Sequence, residues 1–208
     1  MAKRKSKNRK KVIMVVLGCC CIIAAATLVT YNYLDQARAA RESQELMDRL
    51  AALLAEGSLP ADYVSEIDGQ LQEGEGEDGI SARWVDGYDI CGVLSVPKIN
   101  INLAVIRNWN YANLTVSVCR YSGNPDEKMI LLGHNYRGHF GDLNKLKAGN
   151  AVRFTDAEGV VYDYTVTLVE VFAADQMWDI ISGDTWDLTL FTCTYGGSER
   201  VVVRCSRA

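Results

Sequence analysis

The sequence predicts an all-β domain of about eight strands, closed or sandwich-like, carried behind an N-terminal membrane-spanning helix. Three observations lead there. From about Ser81 onward, short runs rich in β-branched residues follow one another, with turn residues between most of them and no alternating helices. Just upstream, residues 69–79 (GQLQEGEGEDG) hold little that could be buried. Near the N-terminus, Val12 to Tyr31 is 20 residues without a charge, which matches the length needed to cross a bilayer core.

Composition is consistent with that division. A length of 208 residues suits one ordinary domain plus appendages, and an apolar content of 49% excludes a largely disordered chain. The net charge of −4 hides an asymmetry: residues 1–11 carry seven Lys/Arg and no acid, leaving 15 bases against 26 acids in the rest. A basic tip on an acidic body argues against nucleic acid as a partner. It fits a cytoplasmic flank beside a membrane span.

In order, residues 1–11 read as a cytoplasmic basic segment and 12–33 as a transmembrane signal anchor, with the remainder outside by the positive-inside rule. A cleaved signal peptide, cut near Ala24-Ala25-Ala26, is disfavoured because the apolar run exceeds the usual h-region. Leu17-Gly18-Cys19 is similar to a lipoprotein signal, but the apolar run continues from Cys20 to Thr30, which a soluble mature N-terminus does not need. Cys19, Cys20 and Cys21 then serve as small apolar membrane residues.

Residues 34–57 read as a juxtamembrane helix, with Leu46, Leu50, Leu53 and Leu54 in helical spacing and Gly57 and Pro60 ending it. A spacer is the preferred reading, with packing on the following domain or pairing with another copy as the alternatives. Residues 58–80 read as a flexible acidic linker, whose Glu73, Glu75, Glu77 and Asp78 form a solvated charge run rather than a metal site.

The domain itself, 81–208, is expected to carry strands at Ile90–Val96, Ile101–Ile106, Thr115–Val118, Met129–Leu132, Val152–Thr155, Val160–Val171, Leu188–Thr194 and Arg200–Cys205. Pro97-Lys98, Gly123-Asn124-Pro125, Lys147 to Asn150 and Asp156 to Gly159 supply turns.

Near-neutral bases are scarce, because His134 and His139 are the only histidines. Cys91, Cys119 and Cys205 lie in or beside apolar runs and read as small core residues or, outside the cell, as disulfide partners. If Cys193 stays a free thiol, at most one bridge forms among those three, and the sequence does not choose the pair. Cys193 differs from them. It ends a strand, precedes the turn Tyr195-Gly-Gly-Ser198, and has Arg200 seven positions on. A hairpin-like return brings thiol and guanidinium together, and a nearby cation favours the thiolate. Gly133-His134-Asn135 follows the apolar run Met129 to Leu132. A Cys, a His and an Arg therefore each stand at the mouth of an expected strand, where scaffolds present catalytic groups.

Thr189-Leu-Phe-Thr-Cys193 resembles the Thr-Leu-x-Thr-Cys motif of the sortases, cysteine transpeptidases of Gram-positive cell surfaces. The likeness extends to Gly133-His134-Asn135, to Phe140-Gly-Asp-Leu-Asn-Lys-Leu146, similar to the family's Phe-x-x-Leu-x-x-Leu helix, and to Gly149-Asn-Ala-Val-Arg-Phe154. Gly92-Val-Leu-Ser-Val-Pro-Lys-Ile99 resembles the family's opening strand. The similarity covers about residues 88–206.

The resemblance implies a closed eight-stranded sortase-like β-barrel with short helices. It also implies Cys193 as nucleophile, His134 as the acid and base, and Arg200 as the third catalytic group. Arg204, four residues on and facing the same way along a strand, is the alternative arginine. Arg207 stands at the terminus and fits less well. His139 reads as a loop residue.

By the same resemblance, Cys193 attacks a Leu-Pro-x-Thr-Gly-like sorting signal of a secreted protein, and an amine of a cell-wall precursor or a pilin lysine resolves the thioacyl-enzyme. Thr192, Trp178, Trp186 and Tyr195 are the expected substrate-binding residues, although packing competes as an explanation for the two tryptophans. No cofactor is expected and no metal, since neither a His-x-x-x-His nor a Cys-x-x-Cys pair occurs. The short segment between Val171 and Leu188 argues against the subclass with a long helix there. The absence of an Asp-Pro-Trp or Asp-Pro-Phe lid motif tilts the reading towards wall attachment. Two alternatives remain: a catalytically silent extracellular β-domain that binds a surface partner, and a cysteine protease that hydrolyses.

Overall fold

The computed structural model describes residues 2–55, 80–182 and 185–208. It divides into two compact units, up to Arg38 and from Ala39 onward. A long helix, α1 (Ala2–Ala55), provides the first unit and enters the second. In the first unit every residue from Lys11 to Leu34 is exposed. Among the described residues α1 is the one helix long and apolar enough to cross a membrane.

The second unit is built on nine strands: β1 (Arg83–Val85), β2 (Tyr88–Val96), β3 (Ile101–Ile106), β4 (Val118–Ser122), β5 (Met129–Leu132), β6 (Ala151–Asp156), β7 (Val161–Ala173), β8 (Leu188–Cys193) and β9 (Glu199–Arg207). They form one sheet in the order β1-β2-β3-β4-β5-β8-β9-β7-β6, and an additional β2–β6 pairing closes it. Eight strands, β2 to β9, thus make a closed barrel, with β1 as an extra strand beside β2. Closure removes the open edges that a sheet otherwise presents. Two pairings are parallel, β3–β4 and β5–β8, and the others are antiparallel.

Alternation along the strands separates the two faces of the wall. Leu94, Val96, Leu103, Val105, Val118, Met129, Leu131, Leu188, Leu190, Val201 and Val203 point inward to the main core, together with Phe140, Leu143 and Phe154. The opposite face carries two further clusters. One joins Ile90, Ala104, Ile106, Cys119, Leu114 and Val116 to Leu46 and Leu50 of α1. The other joins Ile130, Phe191 and Val202 to Ile180 of a short helix, α3 (Met177–Ile181).

The structure departs from the sequence reading in several places. The run Thr115–Val118 is not a strand: residues Tyr111–Val116 form helix α2, and β4 begins at Val118. The β-branched residues pointed to extended chain, but the Asn110 side chain accepts from the Asn113 amide at 2.8 Å and caps a helix instead. Phe140 to Leu146 is a turn followed by a single 3₁₀ turn, Leu143–Lys145, rather than a longer helix.

Strand β1 is new. Asp86 and Gly87 both take positive φ (52° and 93°), the turn that a two-residue hairpin needs. Finally, the helix after Ala39 is no bare spacer. Ala39, Ser43, Leu46 and Leu50 are buried along one stripe. The expected linker, 58–80, lies outside the described residues except for Ile80, which is buried in the main core.

Candidate active site

Strand directions gather the site. Because β5 and β8 run parallel, both end at the same rim, and β9, antiparallel to β8, begins there. Cys193 and Arg200 are Cα partners across β8 and β9. Residues directly opposite one another point to the same face, with Cβ atoms about 5 Å apart. Cys193 has the outward parity of Phe191, and Arg200 that of Val202. On the other side, Leu132 pairs with Phe191, so His134 stands two residues past the end of β5, as Cys193 stands two residues past Phe191. The three predicted groups share one rim.

Several bonds hold that rim together. Thr192 Oγ1 donates to the Gly133 carbonyl at 2.8 Å, and the Gly133 amide donates to Phe191 at 3.2 Å. Asn135 Nδ2 donates to the Thr194 carbonyl at 3.2 Å. Gly133 admits no larger residue, because an added Cβ would come within 2.8 Å of Val118 Cγ1 and 2.9 Å of Phe140 Cδ2. The turn after Cys193 uses positive φ at Gly196 and Gly197, and Thr194 closes it through its amide to Glu199 at 2.9 Å. Arg200 Nη1 donates to the carbonyls of Gly197 and Glu199 at 2.9 and 3.0 Å. The guanidinium is thus anchored to the turn beside the thiol.

Arg204, the alternative arginine, has a different position. It is 3% exposed, and it donates to Ile180 O at 2.7 Å, Thr189 Oγ1 at 3.0 Å and Asp179 O at 2.9 Å. Burial lowers its pKa, and Glu170, 3.7 Å from its Nε, acts in the other direction. It ties α3 to the barrel wall, away from the rim. Arg207, at the far end of β9, donates to Pro125 O and packs its guanidinium over Tyr162.

Of the four cysteines beyond α1, Cys193 alone is partly exposed, and all are free thiols. Burial pushes Cys119 and Cys205 up to about 12, so they stay protonated and unreactive. Cys91 is buried with its Sγ against Val105 O at 3.4 Å. His139 is a loop residue, as expected, and it is fully buried there. Burial, then the charge of His134, lowers its pKa to about 4. It is therefore neutral near pH 7.

The expected substrate contacts separate from one another. Thr192 is 4% exposed and faces inward, so it is a strut of the rim. Trp186 lies before β8, beside Glu127, Lys128 and Asp187, about 20 Å along the strand from Cys193 at about 3.3 Å per residue. Trp178 on α3 and Tyr195 in the turn are strongly exposed, at 74% and 90%. Sequence reasoning missed the aromatic line Phe191–Tyr121–Trp109. Tyr121 meets Phe191 edge-on at 5.9 Å and stacks on Trp109 at 5.9 Å, so aromatic surface continues outward from the strand of Cys193. Among the described residues no group of three His, Cys, Asp or Glu could hold a metal ion.

Residues 94–208 match a family model described as Sortase domain. The chain is 30% identical over 112 residues to Sortase A of Listeria monocytogenes, a match covering 50% of this chain and 49% of that protein. The chain thus spans about half the length of the curated relative it matches. Among solved structures, sortase C-1 of Actinomyces oris is 26% identical, with a TM-score of 0.50 over 56% of this chain and 71% of that one. Clostridium perfringens sortase C, solved with the C-terminal cell wall sorting motif, is 20% identical, with a TM-score of 0.57 over 79% and 98%. That likeness is one of fold.

Proposed function

The chain belongs to the sortase family, and from that premise we propose that it is a membrane-anchored cysteine transpeptidase. In this reading it cuts a Leu-Pro-x-Thr-Gly-like sorting signal and joins the acyl part to an amine of a cell-wall precursor or a pilin subunit. The observation that carries it is the cross-strand pairing of Cys193 with Arg200, beside the strand end that bears His134.

The Cys193 thiolate adds to the carbonyl carbon of the scissile peptide bond. The carbonyl π electrons move onto oxygen, and Arg200 donates to that oxyanion from a fixed, partly water-shielded position. The C–N bond breaks, and protonated His134 gives its proton to the departing amine. A thioester remains on Cys193. Neutral His134 then takes a proton from the incoming amine, which attacks the thioester carbonyl and restores the thiolate. Net, one amide is exchanged for another with no oxidant or cofactor.

Trp178 and Tyr195, both exposed, and the Tyr121–Phe191 floor are the surfaces on which an apolar signal would lie. The apolar part of α1 serves as a single-pass anchor, with the basic N-terminus cytoplasmic and the barrel outside.

The test uses the full chain in detergent. A Leu-Pro-x-Thr-Gly peptide library is incubated with and without a glycine-based or diamino acid amine, and products are read by mass spectrometry. An amine-dependent ligation product, absent in Cys193→Ala, is expected. Free acid as the only product would favour a hydrolase. No product, with Cys193 unreactive to alkylation, would favour a silent binding domain.

A further inference from the structure

Three side chains on the loop after β5 are in ring contact, His134 with Tyr136 and Tyr136 with His139. The His134 ring lies over Tyr136, with centroids 4.8 Å apart and planes 29° from parallel. Tyr136 also meets His139 at 5.7 Å, with the planes tilted by 46°. Tyr136 thus contacts both the rim histidine and a buried one.

The backbone holds Tyr136 in place. The Tyr136 carbonyl accepts from the amides of His139 and Gly141, both at 2.9 Å, and His134 O accepts from Phe140 at 3.0 Å. A Cβ on Gly141 would fall 2.8 Å from Tyr136 O, so the tight return needs glycine there. Phe140 is fully buried in the main core and anchors the loop from below. Helix α1 closes the outside: a Cβ on Gly138 would come within 3.1 Å of Ala40 Cβ. Ser43 and Asp48 of α1 line the same cleft as Gly138.

We propose that Tyr136 is a positioning residue for His134, its ring face fixing the imidazole plane and stabilising the imidazolium that acts as general acid. This rests on the catalytic assignment of His134 made above. The face of an aromatic ring is negative and attracts a cation lying over it. In this arrangement the ring favours the protonated state that the first step requires, and its bulk leaves the imidazole one orientation towards the thiol.

The titratable and charged residues on the elements that meet at this rim are Arg137 and Asp142 on the loop of His134, Cys193 at the end of β8, and Glu199 and Arg200 at the start of β9, while Asp48 of α1 shares a cleft with Gly138. His139 contacts Tyr136 and carries no charge near neutral pH. It therefore packs on the tyrosine without repelling the imidazolium, whereas a positively charged residue in its place would repel it.

The test is a histidine titration by NMR on the full chain in detergent, labelled at the imidazole rings. With only two histidines in the sequence, the two signals separate readily. Tyr136→Phe keeps the π face and should leave the His134 midpoint unchanged. Tyr136→Leu keeps bulk without a π face and should lower the midpoint by about half a unit. Pentafluorophenylalanine at position 136 keeps the ring's shape but reverses the charge of its face, and should lower the midpoint at least as far. That variant decides the matter even if the leucine variant disturbs the loop, which a displaced His139 signal would reveal.

In the peptide ligation assay, Leu at 136 should lower kcat about tenfold with KM little changed, and Phe should restore it. A His134 midpoint that stays at its wild-type value in the pentafluoro variant would overturn the proposal. So would a Phe variant displaced as far as Leu. The NMR arm does not depend on substrate, so failure of the transpeptidase reading would show separately, as a wild-type protein that ligates no peptide.

Discussion

Thr192 places its hydroxyl 2.8 Å from the carbonyl of Gly133 and so joins the strand that ends in Cys193 to the segment that begins with His134. The bond is enclosed, with Thr192 only 4% exposed. Such a bond has two roles: it satisfies a carbonyl at the parallel strand end and it sets the spacing of Cys193 and His134, the proposed nucleophile and acid. A Thr192→Val substitution keeps the shape and removes the donor. We expect it to reduce stability by about 1–2 kcal/mol, since a buried acceptor loses its partner, as a lower denaturant midpoint with unchanged slope would show. It should also reduce kcat more than KM, and Thr192→Ser should recover most of both. Equal turnover in the valine variant would show that the spacing does not depend on this bond.

The two candidate arginines should separate by experiment. Arg200 is anchored to the exposed turn at the rim. Arg200→Ala should leave the thermal midpoint within about 2 °C, a surface-scale effect, while lowering kcat by 10²-fold or more, the usual scale for losing an oxyanion donor. Arg204 is enclosed and holds Asp179, Ile180 and Thr189. Arg204→Ala orphans those acceptors and Glu170, and should destabilise by about 3 kcal/mol. Calorimetry and single-turnover kinetics on both variants give the comparison, and a large loss of stability at Arg200 with none at Arg204 would reverse the assignment.

His139 gives the fold a dependence on pH. Its pKa is lowered from 6.5 to about 4, first by burial. In the folded chain it stays neutral, while in the unfolded chain it takes a proton below about 6.5. Unfolded molecules therefore bind more protons between those values, and stability falls as pH drops through that window. The full effect, reached near pH 4, is on the order of 3 kcal/mol by the usual conversion. Denaturant midpoints measured at pH 7.5 and pH 4.5 should differ in the wild type, and His139→Phe should lose most of the difference. An equal slope with pH in both proteins would mean that other groups carry it.

What the sequence showed of this site was what local chemistry encodes. The Tyr195-Gly-Gly-Ser198 turn between two β-branched runs places Cys193 opposite Arg200, and the structure pairs those two residues directly. His134 followed an apolar strand, and parallel pairing with β8 brings it to the same rim. Other features depend on residues far apart in the chain. His139 sits in a loop with no apolar periodicity, and part of its cover, the backbone near Ala39, lies 100 positions earlier. Thr115 and Val116 have strand propensity, and only the cap at Asn110 makes them helical. Trp186 resembled a groove wall because its distance from Cys193 depends on β8 running its full length between them. The Asp86-Gly87 pair between Val85 and Tyr88 was a readable hairpin signal.

The part of α1 from Ala39 onward should behave as a piece of the barrel domain. Leu46 and Leu50, 3% and 4% exposed, complete an apolar cluster with Val85, Ile90, Ile106 and Leu114. Truncating either to alanine removes a buried side chain from a packed contact, at about 2–4 kcal/mol each. A fragment beginning at Ser81 loses both leucines and uncovers the outer face of β2 and β3. It should unfold at a clearly lower temperature than a fragment beginning at Ala39 and bind an apolar dye that the longer fragment does not. It should also ligate peptide more slowly, because Ala40 no longer backs Gly138 on the His134 loop. Matching melting temperatures for the two fragments would show instead that the barrel is self-sufficient and that this helix merely rests on it.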